Sequence, residues 1–353
     1  MRIGIYAIAK NEAKHVERFI TAASDADHIL IADTGSTDDT IDIARALEAD
    51  VYSISVNPWR FDYARNTALA LLPADIDVCI SVDMDEIMLP GWRQAVEAAW
   101  TPGTTRLQYR FDNGGGQVYN CLKAHARHGY TWRFPIHEYV GPIDPAAERI
   151  AVTGHVLTRH DPDKSKSRGQ YMTLLDAAVA ETPDCARMSF YRGRELYYMG
   201  RWREAVAEFE RYLALPNATW NIERGYAMRI MGRCYVRLDN GREAQKWLRR
   251  ACAELPTHRE PWVDLADACQ TWGLWVECFH AAAQAVNIQT PTHDFTGDPD
   301  AWGAKPHDLL ALAAYHLNLK DWAIVEGQKA LDLDPENPRL AQNMKFYRPI
   351  AAH

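Results

Sequence analysis

Nowhere in the 353 residues is there a run of about twenty apolar side chains, so no segment reads as a membrane-spanning helix. The opening stretch, MRIGIYAIAKNEAKH, also lacks the long apolar core of a secretory signal. Cysteine shows no metal or redox pattern: the seven stand at 79, 121, 185, 234, 252, 269 and 278, with no C-x-x-C pair and no Cys/His ligand spacing. Scattered thiols of that kind read as reduced and structural, and the expected location is cytoplasmic. Positive charge is in short supply too. A formal net charge of -8 weighs against bulk attraction to nucleic acid. It leaves room for a local path such as Lys123, Arg127 and Arg133. What the chain does have is 47% hydrophobic residues, twelve Trp and sixteen Tyr, enough for buried cores and for sugar or peptide grooves.

The chain divides by its periodicity. Up to about residue 100, strand-like runs alternate with helical ones: strands at 2–9, 28–33, 51–56 and 77–83, helices at 11–24, 37–49, 61–72 and about 90–100. Strand, helix, strand in short succession implies parallel strands covered on both faces. Further strands follow at 104–111, 117–126 and 148–160, broken by Gly and Pro, and these predict mixed or antiparallel pairing. From about 171 onward only helical spacing remains, as paired helices at 189–215, 225–255, 261–286 and 307–333. Ala205, Ala244, Cys278 and Val325 align as equivalent positions, 39, 34 and 47 residues apart. The tetratricopeptide period is about 34, so two intervals carry insertions. Lone helical hairpins cannot bury their apolar faces, and stacking on a neighbour solves that.

Acids gather where the strands end. SVDMDE (81–86) brings Asp83, Asp85 and Glu86 directly after an apolar strand. In an open α/β sheet, ligands bind beyond the carboxyl ends of the strands. A D-x-D sequence there suits a divalent cation carried on a phosphorylated ligand, with Asp83 and Asp85 facing the ligand and Met84 behind. An acidic turn that merely closes the strand is the plain alternative. Asp33 ends the second strand before Gly35 and is placed to accept from a base N–H or ribose hydroxyls. Ser36 and Thr37 are candidate caps for the next helix. Lys10, Asn11 and Glu12 end the first strand, either lining a cleft or capping the helix that follows.

Taken in order, AKNE (9–12), DTGSTDDT (33–40), NPWRFDYARNTAL (57–69), SVDMDE (81–86) and WRFPIHEYV (132–140) resemble the family 2 glycosyltransferases of GT-A fold. The closer resemblance is to a bacterial and phage branch with C-terminal tetratricopeptide repeats. It implies an α/β GT-A domain with a Rossmann-like nucleotide-sugar-binding sheet over 1–170, then an all-α tetratricopeptide-like domain over 171–353. It also implies transfer of a sugar from a UDP-sugar, with Mn2+ or Mg2+ as cofactor. Carried onto this sequence, Asp33 holds the uracil or ribose end, and Lys10, Asn11 and Glu12 line the nucleotide cleft. Arg65 and Asn66 approach the phosphates or sugar. Asp85 is the direct metal ligand, with Asp83 beside it, nearer ribose or sugar. His160, ahead of His155, completes the metal site. Lys164, Lys166 and Arg168 clamp the diphosphate. Glu86 is a third acid that members of this branch often share but many others in the family lack.

Sugar transfer with inversion, the expected outcome, needs a base opposite the leaving diphosphate. Glu138 is the candidate, with His137 the alternative; a structural pair after Pro135 is the bland reading of both. Trp132, Tyr130 and Phe134 are aromatic candidates for acceptor stacking or for core packing. The acceptor is open between a saccharide, a peptide and a modified DNA base, and the repeats are a candidate dimer surface. Two rival readings stand: a sugar nucleotidyltransferase, and an interaction scaffold carrying an inactive GT-A domain. AIAKNEAKH has no glycine for the phosphate loop the first needs, and convergent carboxylates at 33, 83 and 85 are unexpected in the second.

Overall fold

Strand β1 (Ile3–Ala9) is buried on both faces, and its alternation feeds two separate cores. Ile3, Ile5, Ala7 and Ala9 join the core that contains Val16 and Phe19 of helix α1 (Ala13–Ala22). Tyr6 joins the opposite core, with Leu69 of another helix. A strand covered on both faces is what short strand–helix–strand units produce. The computed structural model describes residues 1–161, 169–292 and 294–348. They fall into two compact units, Met1–Ala178 and Val179–His353.

In the first unit β1 is followed by β2 (His28–Asp33), α2 (Thr40–Ala46), β3 (Asp50–Ser53), α3 (Phe61–Leu71) and β4 (Val78–Ser81). Then come β5 (Glu86–Met88), α4 (Trp92–Ala99), β6 (Arg106–Asp112), β7 (Val118–Ala126), β8 (Tyr130–Arg133), β9 (Tyr139–Pro142) and β10 (Ile150–His160). Among the described residues one eight-stranded sheet runs β3-β2-β1-β4-β7-β6-β10-β5. The first four strands are parallel. β7 is antiparallel to both β4 and β6, and β5 is antiparallel to β10. The change from parallel to mixed pairing falls where the sequence pattern changes. Two features have no counterpart in the sequence reading: strand β5, built from the acid cluster itself, and the small β8–β9 hairpin. Asn66 of α3 braces that hairpin, accepting from Trp132 N at 2.8 Å and donating to Trp132 O at 2.9 Å.

Helix α5 (Tyr171–Glu181) leads into the second unit. There the hairpins are α6/α7 (Ala186–Tyr198, Trp202–Ala214), α8/α9 (Asn221–Arg237, Gly241–Glu254), α10/α11 (Arg259–Thr271, Trp275–Asn287) and α12/α13 (Lys305–His316, Lys320–Leu333), closed by α14 (Pro338–Tyr347). Each hairpin turn has a left-handed residue two positions past the first helix: Gly200, Asp239, Gly273 and Asn318. The next backbone N–H then returns to the helix, as from Arg201 to Leu196 O and from Leu274 to Cys269 O. This is the standard C-terminal stop of a helix. Gly193 and Gly232 give close approach, since a Cβ on either would lie 2.9 Å from Phe209 or 2.4 Å from Leu248.

Ala205, Ala244 and Cys278 are buried at the same position of α7, α9 and α11, as aligned. Val325 is a correction. It is exposed, and the equivalent buried residue is Ala323, two places earlier in α13. The insertion between α11 and α12 folds back over the first helices of the hairpins. Phe295 meets Phe190, Trp220 and Tyr226 at ring distances of 6.2, 5.5 and 6.3 Å. Arg229 donates to Thr296 O at 2.9 Å and Arg233 to Asp298 Oδ2 at 2.8 Å. A polar cavity of about 380 Å³ lies in this unit, with Arg229, Arg233, Asp264 and Asp298 among its walls.

Candidate active site

The carboxyl end of β4 opens into the turn Asp83–Glu86. Glu86 N donates to Asp83 O at 2.8 Å, and Asp83 N donates to Glu86 Oε2 at 3.1 Å. The turn is therefore closed by backbone and side chain together. Glu86 is 3% exposed, and its Oε1 accepts from Lys123 Nζ of β7 at 2.7 Å. The same ammonium donates to Asp83 Oδ2 at 3.1 Å. Asp83 Oδ1 accepts from Arg65 Nη2 of α3 at 2.6 Å. Arg65 in turn gives Nε to Glu138 Oε1 at 2.6 Å and Nη1 to Ser81 Oγ at 3.1 Å, with its guanidinium over the Trp132 ring. Charges thus alternate along one chain: Glu138, Arg65, Asp83, Lys123, Glu86.

Burial opposes each of these charges, and pairing decides which survive. At Asp83 burial pushes the carboxyl up, but Arg65 and Lys123 outweigh it and hold it well below the usual carboxylate range. At Lys123 burial works downward, and Asp83 and Glu86 reverse it to keep the ammonium charged. At Glu86 burial wins and the carboxyl is raised, with nearby Asp83 adding to the effect.

At the tip of the turn, Asp85 Oδ2 lies 3.4 Å from His160 Nε2 at the end of β10. The backbone fixes this meeting, because β10 pairs with β5 at His160↔Glu86 and Asp161 N donates to Asp85 O at 2.8 Å. The hydrogen bond to Asp85 raises the imidazole above its ordinary value. Among the described residues no group of three or more His, Cys, Asp or Glu could hold a metal ion. Asp85 and His160 offer two donors side by side. Such a pair would suit a hard divalent cation such as Mg2+ or Mn2+ carried on a phosphorylated ligand. A cavity of about 360 Å³ opens beside His160, walled by Asp112, Gly114, Gly116, Arg159 and Asp161.

The remaining candidates lie elsewhere. Asp33 is 1% exposed, and its carboxylate accepts from Gly35 N and Ser36 N, both at 2.9 Å, and from Ser36 Oγ. Asn11 has a left-handed φ of 56°; its N donates to Ser36 Oγ and its Oδ1 accepts from Thr37 N. Glu12 N donates to Thr40 Oγ1, and Lys10 is exposed at the end of β1. These residues knit the ends of β1 and β2 together, and Ser36 and Thr37 serve that knot while Asp39 takes the cap position of α2. Asn66 braces β8, as described. His137 has a left-handed φ of 49° and meets Tyr171 edge-on at 5.9 Å. His155 is exposed. Lys164, Lys166 and Arg168 lie outside the described residues. Trp132 and Tyr130 are core residues, 4% and 7% exposed. The basic path does not form: Lys123 is spent on two acids, Arg127 donates to the carbonyls of Pro73, Ala70 and Leu72, and Arg133 to Pro142 O. Lys123, read from the sequence only as part of a basic path, belongs to this site, and its role at the acidic turn was missed. Its signal was a lone cation in an otherwise strand-like run, YNCLKAHA, where a buried charge must find a partner.

Behind the site a polar relay fixes β7 to β1. Trp132 Nε1 donates to Tyr6 Oη at 2.8 Å, and Tyr6 lies 3.0 Å from His125 Nε2. His125 Nδ1 is 2.8 Å from Ala126 O, so Nδ1 carries the hydrogen and Nε2 accepts from Tyr6. Burial lowers the His125 imidazole to about 4. Unfolded histidine titrates near 6.5, so between those values the unfolded chain binds the extra proton. Stability is then unaffected by this group above about pH 6.5 and falls by up to about 3 kcal/mol as pH drops toward 4. Urea unfolding at stepped pH should show that loss, and His125→Gln should flatten it. An unchanged slope in the variant would remove His125 as its source.

Residues 5–164 match the sequence profile described as Glycosyl transferase family 2. The first unit is a family 2 glycosyltransferase domain. The glycosyltransferase domain is followed by a stacked helical-repeat region that resembles tetratricopeptide architecture. The chain is 35% identical over 86 residues to an uncharacterised glycosyltransferase of Rickettsia bellii (strain RML369-C), covering 24% of this chain and 28% of that protein. It is 30% identical over 101 residues to one of Rickettsia prowazekii (strain Madrid E), covering 28% of this chain and 33% of that protein. The matches thus span about a third or less of those relatives. Among solved structures, the tetratricopeptide protein YrrB aligns with a TM-score of 0.40 at 17% identity, over 50% of this chain and 83% of its own. MamA of Desulfovibrio magneticus RS-1 aligns with a TM-score of 0.39 at 16% identity, over 48% of this chain and 86% of its own. No helix among the described residues is long and apolar enough to cross a membrane.

Proposed function

We propose that the glycosyltransferase domain moves a sugar, with inversion, from a UDP-sugar to an acceptor hydroxyl or amide. The observation that carries this reading is the meeting of Asp85 with His160 beyond the strand ends, beside the charge chain that Arg65 organises. Asp85 and His160 would hold Mn2+ or Mg2+, with Asp83 behind them. The ion would offset charge growing on the departing diphosphate. The knot at Lys10, Asn11, Glu12 and Asp33 is assigned the nucleotide end of the donor, and Lys164, Lys166 and Arg168, outside the described residues, are proposed to bind its diphosphate.

Glu138 is the proposed base. Arg65 Nε takes one of its oxygens and fixes the carboxylate in place, while Oε2 has no hydrogen-bond partner among the described residues and is left to receive a proton. His137 is the alternative. The acceptor is a saccharide, a peptide or, least favoured by the dispersed Arg127 and Arg133, a modified nucleobase. The repeat region is proposed to hold that acceptor or a second copy of the chain.

A panel of nucleotide-sugars with Mn2+, Mg2+ or EDTA tests the reading by product analysis. Metal-dependent release of UDP is expected. Pyrophosphate released from UTP would instead identify a nucleotidyltransferase. Neither product, with peptide binding retained, would identify a scaffold.

A further inference from the structure

We propose that Lys123 is a positioning residue for the acidic turn, fixing Asp85 toward His160 by holding the two ends of that turn, Asp83 and Glu86, against one ammonium. This deepens the glycosyl-transfer reading and rests on it. The geometry carries it in three steps. Lys123 Nζ contacts both acids that flank the Met84–Asp85 tip, at 3.1 and 2.7 Å. Glu86 then has each oxygen engaged, one by Lys123 and one by Asp83 N, so it closes the turn and is not presented to a ligand. Asp83 likewise has one oxygen on Arg65 and one on Lys123. The acids at 83 and 86 are therefore spent internally, and Asp85 is the carboxylate of the turn that reaches His160.

Without Lys123, two carboxylates within one short turn would repel each other, and Glu86 would be a buried acid without a cation. The turn would open or take up a proton, and the aim of Asp85 would be lost with it. Lys123 does not touch Asp85; it acts through Asp83 and Glu86. Supporting residues of this kind typically alter site affinity or activity roughly 10- to 100-fold when removed.

The test is UDP binding to the full chain by calorimetry, with Mn2+ and with EDTA, alongside thermal unfolding. Lys123→Met should weaken UDP binding in Mn2+ by roughly 10- to 100-fold and leave the weaker binding in EDTA unchanged. Lys123→Arg keeps the charge and should stay within a few-fold of the parent. If Lys123→Met is too unstable to measure, Lys123→Met with Glu86→Gln removes the unpaired buried acid. That pair should fold and show a smaller metal-specific loss, because the ends of the turn no longer repel but are no longer held against one ammonium; undiminished binding in Mn2+ would overturn the proposal. Parental affinity in a folded Lys123→Met protein would overturn the proposal. Equal losses in Mn2+ and EDTA would also overturn it, by showing direct contact with the nucleotide. If the parent chain itself binds no UDP in Mn2+, the glycosyl-transfer reading fails first, which is a separate result.

Discussion

Arg65→Met is expected to damage both stability and transfer. The guanidinium is 6% exposed and serves three partners: Glu138 through Nε, Ser81 through Nη1 and Asp83 through Nη2. Its removal leaves Glu138 a largely buried carboxylate with no cation and takes one of two cations from Asp83. Breaking a buried pair from one side costs about 3–5 kcal/mol. In a unit of this size that lowers the melting temperature by about 10 °C. Calorimetry of the full chain should show one transition shifted and that of the repeat region in place. Arg65→Lys should rescue little, because an ammonium cannot point three donors in fixed directions. A melting profile equal to that of the parent would show that the charge chain does not hold the domain together.

Asp85→Ala is expected to abolish transfer while the fold survives. The side chain is partly accessible and faces His160, whereas the backbone bond from Asp161 N to Asp85 O does not depend on it. Losing one of two protein donors to the proposed ion should cost ~10³-fold or more in rate, about 4 kcal/mol of barrier. Single-turnover release of UDP, read beside a circular dichroism melt, separates chemistry from folding. A variant that still turned over with metal dependence would remove Asp85 from the site. Glu138→Gln belongs to the same series, but its effect mixes loss of the base with loss of the Arg65 partner.

Much of this architecture was readable because it rests on periodicity. Val78, Ile80 and Val82 alternate into one core and Cys79 into the other, as a strand covered on both faces requires. The hairpins were readable because helical spacing recurs in pairs at similar intervals, each pair broken by a left-handed turn residue. What could not be read was anything fixed by contacts distant in sequence. Lys123 meets Asp83 across two strands, and no local pattern announces that pairing. Strand β5 could not be read from its acids, because the partners of buried Glu86 are Lys123 on another strand and the backbone N–H of Asp83. The partners of Asp33 within its own turn, Gly35 and Ser36, could not be read either, because the sequence does not state the shape of that turn. The shift from Val325 to Ala323 has a similar cause, since an insertion of unknown length between α11 and α12 leaves the register of the last hairpin undetermined.

That insertion has a consequence for how the repeat region comes apart. Arrays in which each hairpin touches only its neighbours unzip from their ends. Here a single strap reaches Phe190 in the first hairpin, Arg229 and Arg233 in the second, and the start of the third, where Arg259 stacks on Trp302 at 4.1 Å and Glu260 accepts from its indole nitrogen at 2.9 Å. Fraying of α6 and α7 must therefore release Phe295, and release of Phe295 exposes the ring of Tyr226 in the next repeat. The first three hairpins are expected to melt as one cooperative block, to which the final hairpin is joined at one end through Leu309, Leu310 and Ala313.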